Sequence, residues 1–180
     1  MTHTCHINNF IIKPKISQST TQVFIGVIMN YEIIEMEEKT VIGIATVTNN
    51  ASPDMGSKIG QLWQKLYSGT VEKMIGRVNG KCIGLYCDYQ QNGDYTVLAG
   101  CEIEKSAAEK NKDAETTVKI IPKGKYAKFV VKGDVQKVVA ESWGAIWNTP
   151  LERTFTGDFE EYQEDCDGKN GTIFIYIAIK

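Results

Sequence analysis

The chain has 180 residues, 42% hydrophobic and 23% charged, enough for one domain with a full core and no need of a metal or disulfides. A net charge of −2 gives no basic footprint and argues against direct nucleic-acid binding. The five cysteines, an odd number with no C-x-x-C pair, fit a reduced, cytoplasmic protein.

Residues 1–28 differ from the rest. They carry Lys13 and Lys15 and no acid, and are read as an N-terminal extension of a domain over 29–180. His3 and His6, the chain's two histidines, flank Cys5 there. Two ligand types so close, with no distant second pair, rarely fix a metal, so neither a metal nor a cofactor is expected. With no histidine in the body of the chain, a Ser-His-Asp or Cys-His mechanism lacks its base. "VFIGVIM", Val23 to Met29, falls far short of the roughly 20 residues of a membrane span, and the polar "ISQSTTQ" before it does not make a signal peptide. The extension is also too short for a helix-turn-helix and contains Pro14.

Strands are predicted near 31–37 and 40–48, joined at "EEKT". Ser52 reads as an N-cap and Pro53 as a first helical residue, before a helix with Met55, Ile59, Leu62, Trp63 and Leu66 on one face. A short helix over 71–77 ends at Asn79-Gly80, and strands follow near 82–89 and 95–103 with Asn92-Gly93 as their turn. The order then recurs. "TTVKIIP" and "KYAKFVVKG" are strands joined at Lys123-Gly124, and "DVQKVVAESWGAIW" is a helix that faces inward through Val135, Val138, Val139, Trp143 and Ile146. Pro150 marks its end, and strands near 155–163 and 171–179 complete the chain.

"TVLAGCEI" from Thr96 overlays "TIFIYIAI" from Thr172, 76 residues later. The pattern predicts an α+β fold: two pseudo-symmetric strand-helix-strand-strand modules, about 29–104 and 115–180, forming an antiparallel sheet with a ligand cleft at the seam.

The last hairpin sets Glu160 and Glu161 among Phe159 and Tyr162, opposite a strand with Ile173, Ile175, Ile177 and Ile179 on one side and Phe174, Tyr176 and Ala178 on the other. Parity leaves open which sides meet. If Glu160 joins the Phe174/Tyr176 side, it becomes one acid in an aromatic wall with Tyr162, an arrangement suited to a cation. Tyr86 and Tyr89, on the equivalent strand of the first half, fall on opposite faces, so one of the two is expected at a shared pocket. Trp63, Trp143 and Trp147 sit on helices, as core or as groove lining.

"IPKGKYAKFVVKGD", "AIWNTPL", "FEEY" and "IFIYIAI" in the second half, with "EIIEMEEKTVIGI", "LWQKLY" and "YTVLAGCEI" in the first, resemble the GyrI-like small-molecule-binding domains, also called AraC-type effector-binding domains. The resemblance covers about 30–180 and departs from the family pattern at Ala178, where a proline is usual. It implies a stand-alone module for a small cationic, aromatic or amphipathic compound, with Glu160 and Tyr162 in the family's ligand-facing x-E-x-Y position. It also leaves two alternatives. One is a hydrolase of small electrophiles with the same glutamate as base. The other is a protein-binding inhibitor or co-regulator, with a protein partner or a homodimer left open.

Overall fold

The computed structural model describes residues 29–111 and 115–180. The expected extension over 1–28 and the His3/Cys5/His6 cluster lie outside the described residues. The fold is α+β. Its elements are β1 (Glu32–Met36), β2 (Lys39–Asn49), α1 (Met55–Lys65), β3 (Cys82–Cys87), β4 (Asp94–Ile103), β5 (Thr117–Ile121), β6 (Gly124–Asp134), α2 (Val135–Trp147), β7 (Asp158–Tyr162) and β8 (Asn170–Ile179). The strands form one antiparallel sheet in the order β1-β6-β8-β7-β3-β4-β2-β5.

The predicted strand-strand-helix-strand-strand repeat is present, but its first two strands are not hairpins. β1 crosses to pair with β6, with Ile33 opposite Ala127, and β5 crosses back to pair with β2, with Val118 opposite Ile42. Each half thus lends its first strand to the other. The halves meet at the centre, where β3 pairs with β7.

Local chemistry accounts for the shifted boundaries. The Ser52 hydroxyl donates to the Asp54 carboxylate and is not free to cap, so α1 starts at Met55 rather than Pro53. α2 has a side-chain cap, the Asp134 carboxylate accepting from Lys137 N–H at 3.0 Å. The helix expected over 71–77 is a single 3-10 turn, Val71–Lys73. Gly76, at φ +75°, then turns the chain so that Arg77 bridges to Ile103 on β4. β3 ends at Cys87 because Asp88 adopts φ +52°, and β7 begins at Asp158, three residues after Phe155 at φ +55°.

Both helices cover the same face of the sheet. Met55, Ile59, Leu62 and Trp63 of α1, with Val135, Val139, Trp143 and Ile146 of α2, pack on Ile42, Val97, Ala99, Phe129, Ile173, Ile175 and Ile177. The opposite face holds a second cluster around Leu85, Leu98, Tyr126, Phe159 and Tyr176. Every residue of β3 and β7 is buried, as central strands covered on both sides must be. Among the described residues, no helix is long and apolar enough to cross a membrane.

Candidate functional site

The repeat offset that overlays β4 on β8 also carries Gly84 onto Glu160 and Tyr86 onto Tyr162, and Gly84 and Glu160 face each other across the β3–β7 pair. The pseudo-twofold therefore passes through the Gly84–Glu160 pair. A single carboxylate stands on that axis, opposite a residue with no side chain. A side chain there would crowd the acid: a Cβ on Gly84 would come within 3.2 Å of Glu160 Oε2 and 3.0 Å of the Trp63 ring.

Around the axis, symmetry-related side chains enclose the carboxylate. Tyr86 O–H donates to Glu160 Oε1 at 2.9 Å, and its counterpart Tyr162 donates to Oε2 at 2.6 Å. Trp143 Nε1–H donates to Oε1 at 2.5 Å. Its counterpart Trp63 does not reach the acid, and instead meets the Tyr162 ring edge-on, with centroids 4.8 Å apart. Glu160 is fully buried, and among the described residues no lysine or arginine forms an ion pair with it. Burial pushes its carboxyl above the usual range, against the opposing pull of hydrogen bonds from Tyr162, Trp143 and Tyr86. Two neighbouring hydroxyls respond to the same acid: Tyr86 and Tyr162 are held well above the ordinary phenol range, first by burial and then by the Glu160 charge.

A second buried acid on the same strand provides the contrast. Asp158 is fully buried too, but it forms an ion pair with Arg153, accepts from Tyr89 O–H at 2.9 Å and accepts from the Ala178 N–H at 2.8 Å. One carboxylate has its cation built in; the other has neutral donors alone.

Beside the axis, between the start of α1 and the end of α2, lies a small cleft of about 50 Å³, lined by Asn50, Met55, Ile59, Tyr86, Tyr89, Tyr95, Trp143 and Trp147. Glu160 does not line it but lies one hydrogen bond behind Tyr86 and Trp143. Trp147, 42% exposed, is the most open of the lining aromatics, and the half-exposed Phe155 packs edge-on against Tyr89 at 5.5 Å.

Two sequence expectations need correction. Phe174 and Tyr176 are not neighbours of Glu160. The register pairs Glu160 with Ile175, Phe159 with Tyr176 and Glu161 with Phe174, so Glu160 lies on the isoleucine side, beneath the helices. Tyr176 stacks on Phe159 at 4.4 Å, and Phe174 lies under the Lys128 ammonium, both on the far face. Next, Tyr86 and Tyr89 both line the cleft, because the positive φ of Asp88 breaks strand alternation between them. Glu161, next to Glu160, points to the opposite face and is buried there. It is 5% exposed, paired with Lys81 at 2.9 Å and hydrogen-bonded by Gln163 at 2.8 Å. Sequence reasoning missed Asn50, Met55 and Tyr95 as cleft lining, and Asp158–Arg153 as a buried pair. It could have found the Gly84–Glu160 and Tyr86–Tyr162 correspondence by applying the 76-residue offset beyond the strands it was read from.

This fold and site define a two-module binding domain with an acid at its centre. A family model described as "Cass2: Integron-associated effector binding protein" matches residues 32–179, and the chain belongs to that family. The resemblance to GyrI-like effector-binding domains holds, and small-molecule effector binding is the function such domains share. The chain is 29% identical over 161 residues to YobU of Bacillus subtilis (strain 168), a candidate transcriptional regulator, covering 82% of this chain and 96% of that one. It is similar in structure to the integron cassette protein VCH_CASS2 from the mobile metagenome of Vibrio cholerae, with TM-score 0.67 and 29% identity over 83% of this chain and 95% of the other. It also shares its fold with SAV2435 bound to tetraphenylphosphonium, at TM-score 0.70 and 19% identity over 84% and 94% of the two chains.

Proposed function

We propose that the protein is a receptor for small organic cations, with Glu160 as the counter-charge and Tyr86, Tyr162, Trp143 and Trp147 as the aromatic wall. The observation that carries this reading is the fully buried Glu160, hydrogen-bonded by three neutral donors and lacking the built-in cation that Asp158 has. A desolvated carboxylate gains most from a partner of opposite charge, and ring faces add about 0.5–2 kcal/mol for a nearby cation. The fold relative holding tetraphenylphosphonium, a lipophilic cation, supports the same ligand class. The cleft of about 50 Å³ is smaller than the roughly 300–1,000 Å³ of sites for multi-ring compounds. Binding therefore requires the wall between Tyr86 and Trp143 to part, which brings the ligand to the acid behind them.

The test is a fluorescence titration with tetraphenylphosphonium and with neutral triphenylphosphine oxide. Glu160→Gln keeps the shape and removes the charge. It should weaken the cation by at least about tenfold and leave the neutral compound within about twofold, since removing one member of a buried charge pair costs about 2–5 kcal/mol. Equal loss for both compounds would refute the counter-charge.

The sign of the pH dependence follows from the raised carboxyl of Glu160. The folded protein holds this proton to higher pH than the unfolded chain. Its stabilising effect is complete below the unfolded value and is lost as pH rises through the folded one. A bound cation needs the proton gone, so its affinity should climb as pH rises through that same range, and the Glu160→Gln profile should lack the climb.

A further inference from the structure

β3 begins with a cysteine two residues before Gly84. The β3–β4 ladder ends at Ile83 opposite Gly100, and continuing its register one step outward sets Cys82 opposite Cys101. Both point into the core beneath the helices, and both thiols are free. Directly opposite residues of an antiparallel pair have Cα atoms about 4.5–5.5 Å apart, inside the roughly 4.4–6.8 Å that a disulfide bridges.

We propose that Cys82 and Cys101 are a redox pair that closes to a reversible cross-strand disulfide. Register and face alone single them out. Cys87, on the same strand, lies in the cluster on the far face, and Cys166 lies beyond β7, close to Gly171. The surroundings hold further polarisable and cationic groups: Met74 Sδ lies 3.2 Å from Cys101 Sγ, and Arg77 lies beside both thiols. The related half fills the same two positions with Asp158 and Ile177, and there the arginine equivalent to Arg77, Arg153, holds a carboxylate. In the first half, that arginine faces sulfur. Access comes from the outside through Met74, which also lines a polar cleft of about 140 Å³ with Thr70, Lys73 and Asn111.

The chemistry balances with hydrogen peroxide as oxidant. The Cys82 thiolate, whose proton Tyr67 and Arg77 help to remove, attacks a peroxide oxygen. The O–O bond breaks, giving a sulfenic acid and one water. The Cys101 thiolate then attacks the Cys82 sulfur and expels hydroxide, which takes up a proton as the second water. Two thiols lose two electrons and two protons, and the peroxide gains them. Burial pushes the Cys101 thiol up to about 11 and raises Cys82 as well, with Tyr67 and Arg77 opposing the rise at Cys82. The pair is therefore slow at neutral pH, and its rate should rise about tenfold per pH unit from 7 to 9 as thiolate accumulates. The closed bond would pin β3 to β4, the strands that carry Tyr86 and Tyr95 into the ligand cleft.

The experiment treats the reduced full chain with hydrogen peroxide at pH 7, 8 and 9. The remaining thiols are alkylated, and intact protein and non-reduced peptides are weighed. The expected result is a species that takes up two fewer alkyl groups, with Cys82 joined to Cys101, reversed by dithiothreitol and absent from both Cys82→Ser and Cys101→Ser. Met74→Ala, which opens the route from the polar cleft, should accelerate its formation. Five alkylatable thiols after prolonged exposure at pH 9, irreversible oxidation without a link, or a link between other cysteines would each overturn the proposal. Ligand binding plays no part in the readout, so the result is independent of the cation reading.

Discussion

The two halves of this molecule use one plan and end in different electrostatics. Trp63 and Trp143 occupy equivalent helical positions, as do Tyr86 and Tyr162 on the central strands and Arg77 and Arg153 at the bridges to β4 and β8. At the axis the plan fails, with Gly84 on one side and Glu160 on the other. It must fail, because the two positions face each other at the cross-strand distance, and like charges directly opposite in a sheet repel. One half supplies the charge and the other the space for it. A seam between repeats thus becomes a site when the repeat is broken at the one position where symmetry would be self-defeating.

Restoring the symmetry should do the most damage. Gly84→Glu forces a second buried carboxylate against the first and drives its Cβ toward the Trp63 ring. The expected loss is at least about 4 kcal/mol, seen as an early midpoint in urea or as failure to fold. A variant as stable as the parent would mean that the carboxylate is not confined at the axis.

The arginines sharpen the comparison at the next level. Arg153→Met strands the buried Asp158 without its cation and should cost about 3–5 kcal/mol. Arg77→Met faces thiols that stay neutral under burial and should cost about 1 kcal/mol or less. Denaturant titration of both variants reads the difference, and equal losses would erase the distinction between the halves.

The tryptophans give the smallest and most selective contrast. Trp143→Phe removes a donor to Glu160, so the proton is held more tightly and tetraphenylphosphonium affinity at pH 7 should fall by roughly tenfold. Trp63→Phe removes only packing against Tyr162 and should leave that affinity within about twofold, whatever it does to stability. The midpoint of the cation-binding pH profile should move upward in the first variant and stay in place in the second.

Much of this was legible in the sequence, because amphipathic periods and turn residues are local. The repeat, both helices and their inward faces could all be read directly. The sequence singles out Glu160 and Tyr162, and the two side chains are hydrogen-bonded to each other at the axis. What stayed hidden depends on partners distant in the chain. A strand reads the same whichever neighbour it pairs with, so the crossing of β1 and β5 left no mark. Parity could not place Phe174 and Tyr176, and the register put them on the wrong face for Glu160. The expectation that only one of Tyr86 and Tyr89 reaches the cleft fails for a different reason: a positive φ at Asp88, which no glycine announces, turns Tyr89 onto the face of Tyr86. Arg153 escaped notice because its isolated bridge to Ile179 lies outside any strand.

The exchange of first strands also governs how this molecule comes into being. Glu32 waits for Lys128 and Gly43 for Thr117, so neither half completes its sheet from its own chain. Contacts of such long sequence separation make folding slow and all-or-none, because loop closure precedes the pairing that rewards it. An emerging N-terminal half would leave both β1 and the outer edge of β2 unpaired, and such edges recruit strands from other chains. Two copies of one half could complete each other in the same way, so the interlock that binds the modules into one molecule is also the geometry of a strand-swapped dimer.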